Sequence, residues 1–267
     1  MKKSGSVFLI VTVALTFFAC STVPLTGRKQ LNVVSDSEIN TAAAQSYTQL
    51  LSDPKTHVIT GTAEAARVRR VGLKLATAIQ RYLSESGYGN KYNFNWQFNL
   101  IDSKEVNAWC MPGGKVAVYS GILPYTEDDA GLATVLGHEI GHAIAHHSAE
   151  RISQQLVAQG VGTAIGVAAN NSNSATVGVV NSLYGVGGNL VLLKYSRNQE
   201  SEADRLGLVF MALAGYDPHA ALAFWKRMAA TDNSGNVPVL LSTHPTDAER
   251  IADIEKRIPQ AMQYYQH

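Results

Sequence analysis

Leu136-Gly137-His138-Glu139-Ile140-Gly141-His142 is the stretch on which the reading of this chain turns. Its two histidines stand at i and i+4, one turn apart on one helical face, so both imidazoles can reach a single ion. Imidazole nitrogen suits zinc, at about 2.0–2.1 Å. Glu139 is offset by one residue, which sets its carboxylate beside such an ion rather than on it. That is the place of a general base acting on a metal-activated water. Leu136, Ile140 and Ile144 mark the helix as buried, and unpaired His and Glu in a buried helix would be costly. The run therefore predicts one Zn2+ per chain, held by His138 and His142.

A catalytic zinc site takes three protein ligands and keeps a fourth position open. His146 and His147 are near in sequence, but a continuous helix carries His146 about 12 Å along the axis from His138, too far to share an ion. These two are expected on a helix face near the surface. The run Glu200-Ser201-Glu202-Ala203-Asp204 is the better candidate. Glu200 and Asp204 share a face at i, i+4, and Glu202 points away. A zinc-bound histidine also wants its second ring nitrogen held by a carboxylate or carbonyl. Glu200 therefore reads as the third ligand and Asp204 as the group supporting a histidine.

Outward from these helices the chain reads as α+β and mainly helical. Ser35 with Glu38 forms a capping box that opens a helix to about Leu51. Val68, Val71, Leu75, Ile79 and Tyr82 recur at helical spacing between Thr62 and Leu83. Tyr92–Ile101 alternates apolar with polar, as a strand does. Asn107–Tyr119 reads as a hairpin turned by Pro112-Gly113-Gly114. Thr126 with Asp129 is expected to cap the helix that carries the histidines, running on to about Leu156. The small-residue stretch 158–191 reads as a mobile loop between helices. Further helices are predicted from about Ser196 to Ala214, after Asp217-Pro218, and from near Thr246 to about Arg257.

His138–His142 followed by Glu200-x-x-x-Asp204 resembles the gluzincin peptidases of family M-forty-eight, a group that includes HtpX, BepA and the CAAX prenyl endopeptidase. Pro24–Ser35, Asn107-Ala108 with Pro112-Gly113-Gly114, Tyr119-Ser120-Gly121 and His244-Pro245 support the resemblance, which spans nearly the whole chain after the leader. It implies a zincin-like fold with an active-site helix and a small sheet. It implies His138, His142 and Glu200 as zinc ligands and Glu139 as general base. It also implies that His244 faces the metal, either polarising the transition state or blocking the open position. Arg250, one turn into the last helix, is a candidate to pair with an active-site carboxylate. Zincins generally bind substrate as an extended chain along a sheet edge, which makes Asn107 and Ala108 candidates for substrate contacts. The chain lacks the transmembrane helices of the membrane-embedded members and is closer to the soluble, envelope-facing lipoprotein branch.

The amino terminus agrees with that branch. Lys2 and Lys3 precede an apolar run, Val7 to Ala19, of signal-peptide size. Ala19-Cys20 resembles a lipobox, which implies cleavage before Cys20 and a lipid on it. The expected organisation is a signal peptide over 1–19, a lipid-anchored tether over 20–36 and one catalytic domain over 37–267. No Asp follows Cys20 to suggest retention at the inner membrane, so the expected location is the outer membrane, facing the periplasm.

Composition narrows the rest. The chain has 267 residues with 22 Lys+Arg against 21 Asp+Glu, and a near-neutral balance argues against nucleic acid as partner. Two cysteines cannot build a disulfide framework, and Cys110 reads as a small buried hydrophobe. The expected activity is zinc-dependent endoproteolysis of misfolded or misassembled cell-envelope proteins, with protein substrates and possible envelope-assembly partners. The alternative is an envelope lipoprotein chaperone or assembly factor whose zinc site is structural or latent, with His244 as a fourth ligand.

Overall fold

At the centre lies α4 (Asp129–Ile144), the helix of the two histidines, in which every residue from Gly131 to Ile144 is buried. A helix apolar all round belongs in a core. The structure is a computed structural model and describes residues 20–32, 34–158, 195–232 and 238–265. The signal-peptide segment 1–19 and nearly all of the 158–191 stretch lie outside the described residues.

In chain order the described elements begin with β1 (Cys20–Thr22) and β2 (Lys29–Leu31), then α1 (Asp36–Ser52), β3 (Val58–Ile59) and α2 (Ala63–Glu85). The sheet strands β4 (Gln97–Ile101), β5 (Ala108–Met111) and β6 (Lys115–Tyr119) follow. A short α3 (Leu123–Thr126) leads into α4, and α5 (His147–Ala158) comes directly after it. The carboxy-terminal part holds α6 (Arg197–Leu213), α7 (His219–Asp232), α8 (Val239–Thr243) and α9 (Ala248–Ala261). The fold is mainly helical α+β. No helix among the described residues is long and apolar enough to cross a membrane.

The sheet has the order β3-β4-β6-β5, with β4 parallel to β6 and the other pairs antiparallel. This leaves β5 at an edge. Gly113 and Gly114, both at positive φ, make the turn between β5 and β6 that the Pro-Gly-Gly run predicts. The Ser35 capping box with Glu38 is present, as is a second box, Ser196 with Gln199, at the start of α6.

Four expectations about elements need correction. Pairing in β4 starts at Gln97 rather than Tyr92, although the alternation before it is real. Tyr92, Phe94, Trp96 and Phe98 stack ring on ring, with centroids 5.6, 4.5 and 5.9 Å apart. The cap of α4 is Asp128, whose side chain accepts from Gly131 N–H at 2.8 Å. Thr126 cannot serve, because its hydroxyl donates to the Leu123 carbonyl of α3. Likewise α9, expected to start near Thr246, is capped by Asp247 and starts at Ala248.

The fourth correction has the largest consequence. The histidine helix does not run on to Leu156. It ends at Ile144 with Ala145 as its cap, and His146 adopts φ 54°, the left-handed conformation that closes many helices. His146 Nδ1 lies 3.1 Å from Asp36 of α1, and the Tyr92 hydroxyl donates to the freed Ile144 carbonyl at 2.9 Å. The chain therefore turns before His147.

The segment read as a tether is also structured. Cys20–Thr22 pairs with Lys29–Leu31 as a two-stranded hairpin, and Arg28 reaches α5 and α6 through Glu150 and Glu202.

Candidate active site: a metal centre between two helices

Helices α4 and α6 cross with their backbones in contact. A Cβ at Gly141 would stand 2.8 Å from the Ala203 carbonyl oxygen, and one at Gly207 would stand 2.9 Å from His138 N. Glycine at these positions lets the helices approach closely enough for a carboxylate on one to meet imidazoles on the other.

One ligand atom each from His138, His142, Glu200 and His244 lies within 4.8 Å of every other, and all four residues are buried. His138 Nε2 is 3.1 Å from both His142 Nε2 and His244 Nδ1. Glu200 Oε1 is 2.9 Å from His244 Nδ1 and 3.4 Å from His142 Nε2. Ligand atoms around a tetrahedral ion with bonds of about 2.1 Å would stand about 3.4 Å apart. Three nitrogens and a carboxylate are a donor set that suits zinc.

Two further observations fit a cation here. Glu139 Oε1 is buried without a hydrogen-bond partner, and its nearest recorded contact is His244 Nε2 at 3.6 Å. Among the described residues, the buried carboxylates of Glu139, Glu200 and Asp204 face one buried guanidinium, that of Arg250. Burial pushes the Glu139 carboxyl up from its ordinary value. Burial opposes ionisation of Glu200 too, but His244 and Arg250 outweigh it and hold Glu200 well below the usual range.

Asp204 lies beside His138, with Oδ1 2.8 Å from Nδ1. Burial lowers the His138 imidazole, but Asp204 and Glu200 overcome it and raise the group to about 9. Arg250 is tied in more firmly than its place in sequence announces. Its Nε and Nη2 grip both oxygens of Asp204 at 2.8 and 2.9 Å, and Nη1 lies 3.0 Å from Glu200 Oε2. Nη1 also donates to the His244 and Pro245 carbonyls, which anchors the turn that delivers His244. The guanidinium sits 3.9 Å over the ring of Trp225, which also packs edge-on against His138.

Asn107 and Ala108 lie at the start of edge strand β5, which packs on α4. The Ala108 N–H donates to Asn107 Oδ1 at 2.9 Å. Cys20 begins β1.

Three residues escaped the sequence reading. Tyr195 stacks on the His142 ring at 3.9 Å. His147, expected near the surface, is fully buried, and its Nδ1 is 2.8 Å from His142 Nδ1. Glu202, expected to point away, is buried and meets His147 Nε2 at 2.9 Å. The helical wheel was right that Glu202 leaves the face of Glu200. What it could not show is that α5 and the amino-terminal hairpin pack on that other face.

A buried two-histidine, one-carboxylate cluster with an adjacent glutamate, set on crossing helices beside a small sheet, gives the chain a zincin-like α+β fold with a candidate metal site. The model of Peptidase family M48 matches residues 63–258, and the chain belongs to that family. It is 32% identical over 246 residues to the mitochondrial metalloendopeptidase OMA1 of Schizosaccharomyces pombe, covering 90% of this chain and 66% of that protein. It is 28% identical over 265 residues to the human mitochondrial metalloendopeptidase OMA1, covering 96% of this chain and 49% of that one. It is 30% identical over 179 residues to the beta-barrel assembly-enhancing protease of Yersinia pestis, covering 64% of this chain and 36% of that one. The chain thus spans two thirds or less of these relatives' lengths.

Proposed function

We propose that this protein is a zinc-dependent endopeptidase acting on proteins of a bacterial cell envelope, and that His138, His142 and Glu200 hold its metal. The observation that carries the proposal is Glu139, whose buried and unpartnered Oε1 stands beside the four-residue cluster. A purely structural metal site has no use for such a carboxylate.

Zinc held there would supply a Lewis acid that acidifies water and polarises a carbonyl. The chain's own groups do the rest. Glu139, raised by burial, takes a proton from the attacking water and delivers it to the leaving amine nitrogen. Asp204 and Arg250 keep His138 and Glu200 in place. The edge strand β5 offers main-chain pairing to an extended substrate, once the Asn107 side chain swings off the Ala108 N–H. A cleft of about 810 Å3, bordered by α1, the 90–95 segment and His142, gives room for substrate side chains. The lipid anchor on Cys20, the outer-membrane location and envelope-assembly partners belong to the same proposal. Their support is the lipobox-like Ala19-Cys20 and the likeness to a bacterial beta-barrel assembly-enhancing protease.

A second reading is favoured by His244, whose Nδ1 stands among the other three ligand atoms. With four protein ligands the centre would be closed and either structural or latent. One comparison separates the readings. Wild type and Glu139→Gln are assayed for bound zinc and for cleavage of unfolded casein. The proposal expects zinc in both and cleavage only in wild type, abolished by a chelator and restored by zinc. Cleavage by Glu139→Gln at the wild-type rate refutes the general base. Zinc-loaded wild type inert toward every protein tested, but active once His244 is changed to Ala, supports the latent form.

A further inference from the structure

The two histidines of the helical motif are held in parallel ways. His138 Nδ1 faces Asp204, whose carboxylate is gripped by Arg250. His142 Nδ1 faces His147 Nδ1 at 2.8 Å, and His147 Nε2 faces Glu202 Oε2 at 2.9 Å. Glu202 is in turn gripped by Arg28, whose Nε donates to Oε2 at 2.6 Å, while the Thr26 hydroxyl donates to Oε1. Each histidine thus ends in a carboxylate clamped by arginine. On the second path one more imidazole is interposed, and the arginine comes from the amino-terminal hairpin.

Proton accounting gives this path a direction. A carboxylate that accepts from Arg28 and Thr26 is an acceptor only. His147 must therefore carry its proton on Nε2 to donate to Glu202. In the neutral imidazole its Nδ1 is then a lone pair. A contact of 2.8 Å between two Nδ1 atoms needs one proton between them, so that proton belongs to His142 Nδ1. This leaves His142 Nε2 unprotonated, with its lone pair aimed into the cluster.

The clamp is well seated. Arg28 also donates from Nη1 to Glu150 Oε1 at 3.2 Å and from Nη2 to Gln30 Oε1 at 2.9 Å. Glu150 is held from α6 by the Gln199 amide at 2.9 Å. The left-handed turn at His146 makes the path possible, because a continuous helix would carry His147 away from His142.

We propose that Arg28, Glu202 and His147 are positioning residues that fix the tautomer and ring orientation of His142, and that the Cys20–Leu31 hairpin is consequently a working part of the metal centre. The proposal rests on His142 being a zinc ligand. Groups that orient a metal-bound histidine change metal affinity by about 10–100-fold when removed.

The test measures zinc affinity by chelator competition, and the visible spectrum of the cobalt-substituted protein, on the full chain. His147→Phe keeps a ring but removes the acceptor. Glu202→Gln keeps shape but removes the charge. Arg28→Met keeps the stem but removes the fork. Each is expected to weaken zinc binding by about 10–100-fold and to alter the cobalt spectrum. His147→Gln, which can both accept and donate, is expected to restore most of the affinity. His142→Ala is the control. If it binds zinc as tightly as wild type, His142 is not a ligand and the underlying reading fails. If it loses zinc while His147→Phe and Glu202→Gln bind normally with the wild-type cobalt spectrum, the positioning path is refuted. Should His147→Phe not fold, the isosteric Glu202→Gln decides. Normal affinity in Arg28→Met alone overturns the hairpin's part.

Discussion

Replacing Gly141 by Ala tests whether the close crossing of α4 and α6 sets the metal geometry. The added Cβ would lie 2.8 Å from the Ala203 carbonyl oxygen and 3.2 Å from Ala203 Cα, whereas ordinary contact starts at 3.4 Å. The obstacle is backbone, so no side chain can yield and the helices must part by about 0.6 Å. Overpacking of this kind costs about 1–3 kcal/mol, while Ala regains about 1 kcal/mol of helix propensity over Gly. The net loss of stability is about 0–2 kcal/mol, and the protein should fold. The metal centre has less slack, since ligand distances tolerate only about 0.2 Å. Gly141 adjoins His142, and Ala203 lies between Glu200 and Asp204, so the separation falls directly across the ligand set. Zinc affinity is expected to drop at least about tenfold. The assay is chelator competition on protein whose metal-free melting point is measured in parallel. A folded Gly141→Ala variant with wild-type zinc affinity would refute the reasoning.

Three other outcomes follow from the same structure. Arg250→Lys keeps a charge but loses the two-point grip on Asp204 and the stack on Trp225. It should lower stability by roughly 1–3 kcal/mol and weaken zinc binding, read by thermal melting and chelator competition. Asp128→Ala removes the cap on the Gly131 N–H and should cost about 1 kcal/mol in chemical denaturation while leaving zinc affinity unchanged. Burial holds the Cys110 thiol well above its ordinary value. In a Cys20→Ser protein it should resist a thiol reagent at pH 8 until denaturant is added. The sign follows: the unfolded thiol ionises above about pH 9 while the folded one keeps its proton. This group's stabilisation is therefore complete below that pH and erodes by up to about 1.4 kcal/mol per unit above it.

Much of the site could be read from residue spacing because its parts are helical. His138 with His142 and Glu200 with Asp204 are i, i+4 pairs, and a helix turns such pairs into shared faces. Local capping chemistry likewise located the start of α1. The misreadings share a cause, which is that a residue's competing partners lie elsewhere in the chain. Thr126 has the right side chain for a cap, but α3 uses its hydroxyl. His146 carries no Gly or Pro signal for a helix end. Contacts from Asp36 and Tyr92 accompany the break, and both come from other elements. Periodicity says which residues of α6 share a side. It is silent on what covers the opposite side, and there Glu202 meets the hairpin.

The register of that hairpin has a mechanical consequence. Cys20 pairs with Leu31 at the open end, and Thr22 pairs with Lys29 beside the turn. Tension applied to the chain at Cys20 would therefore unzip the ladder from the Cys20 end, and the pair next to Arg28 would be the last to part. Opening all three pairs would still leave Arg28 held, its carbonyl by the Val23 N–H and its side chain by Glu150 and Glu202, so the clamp outlasts the ladder under load.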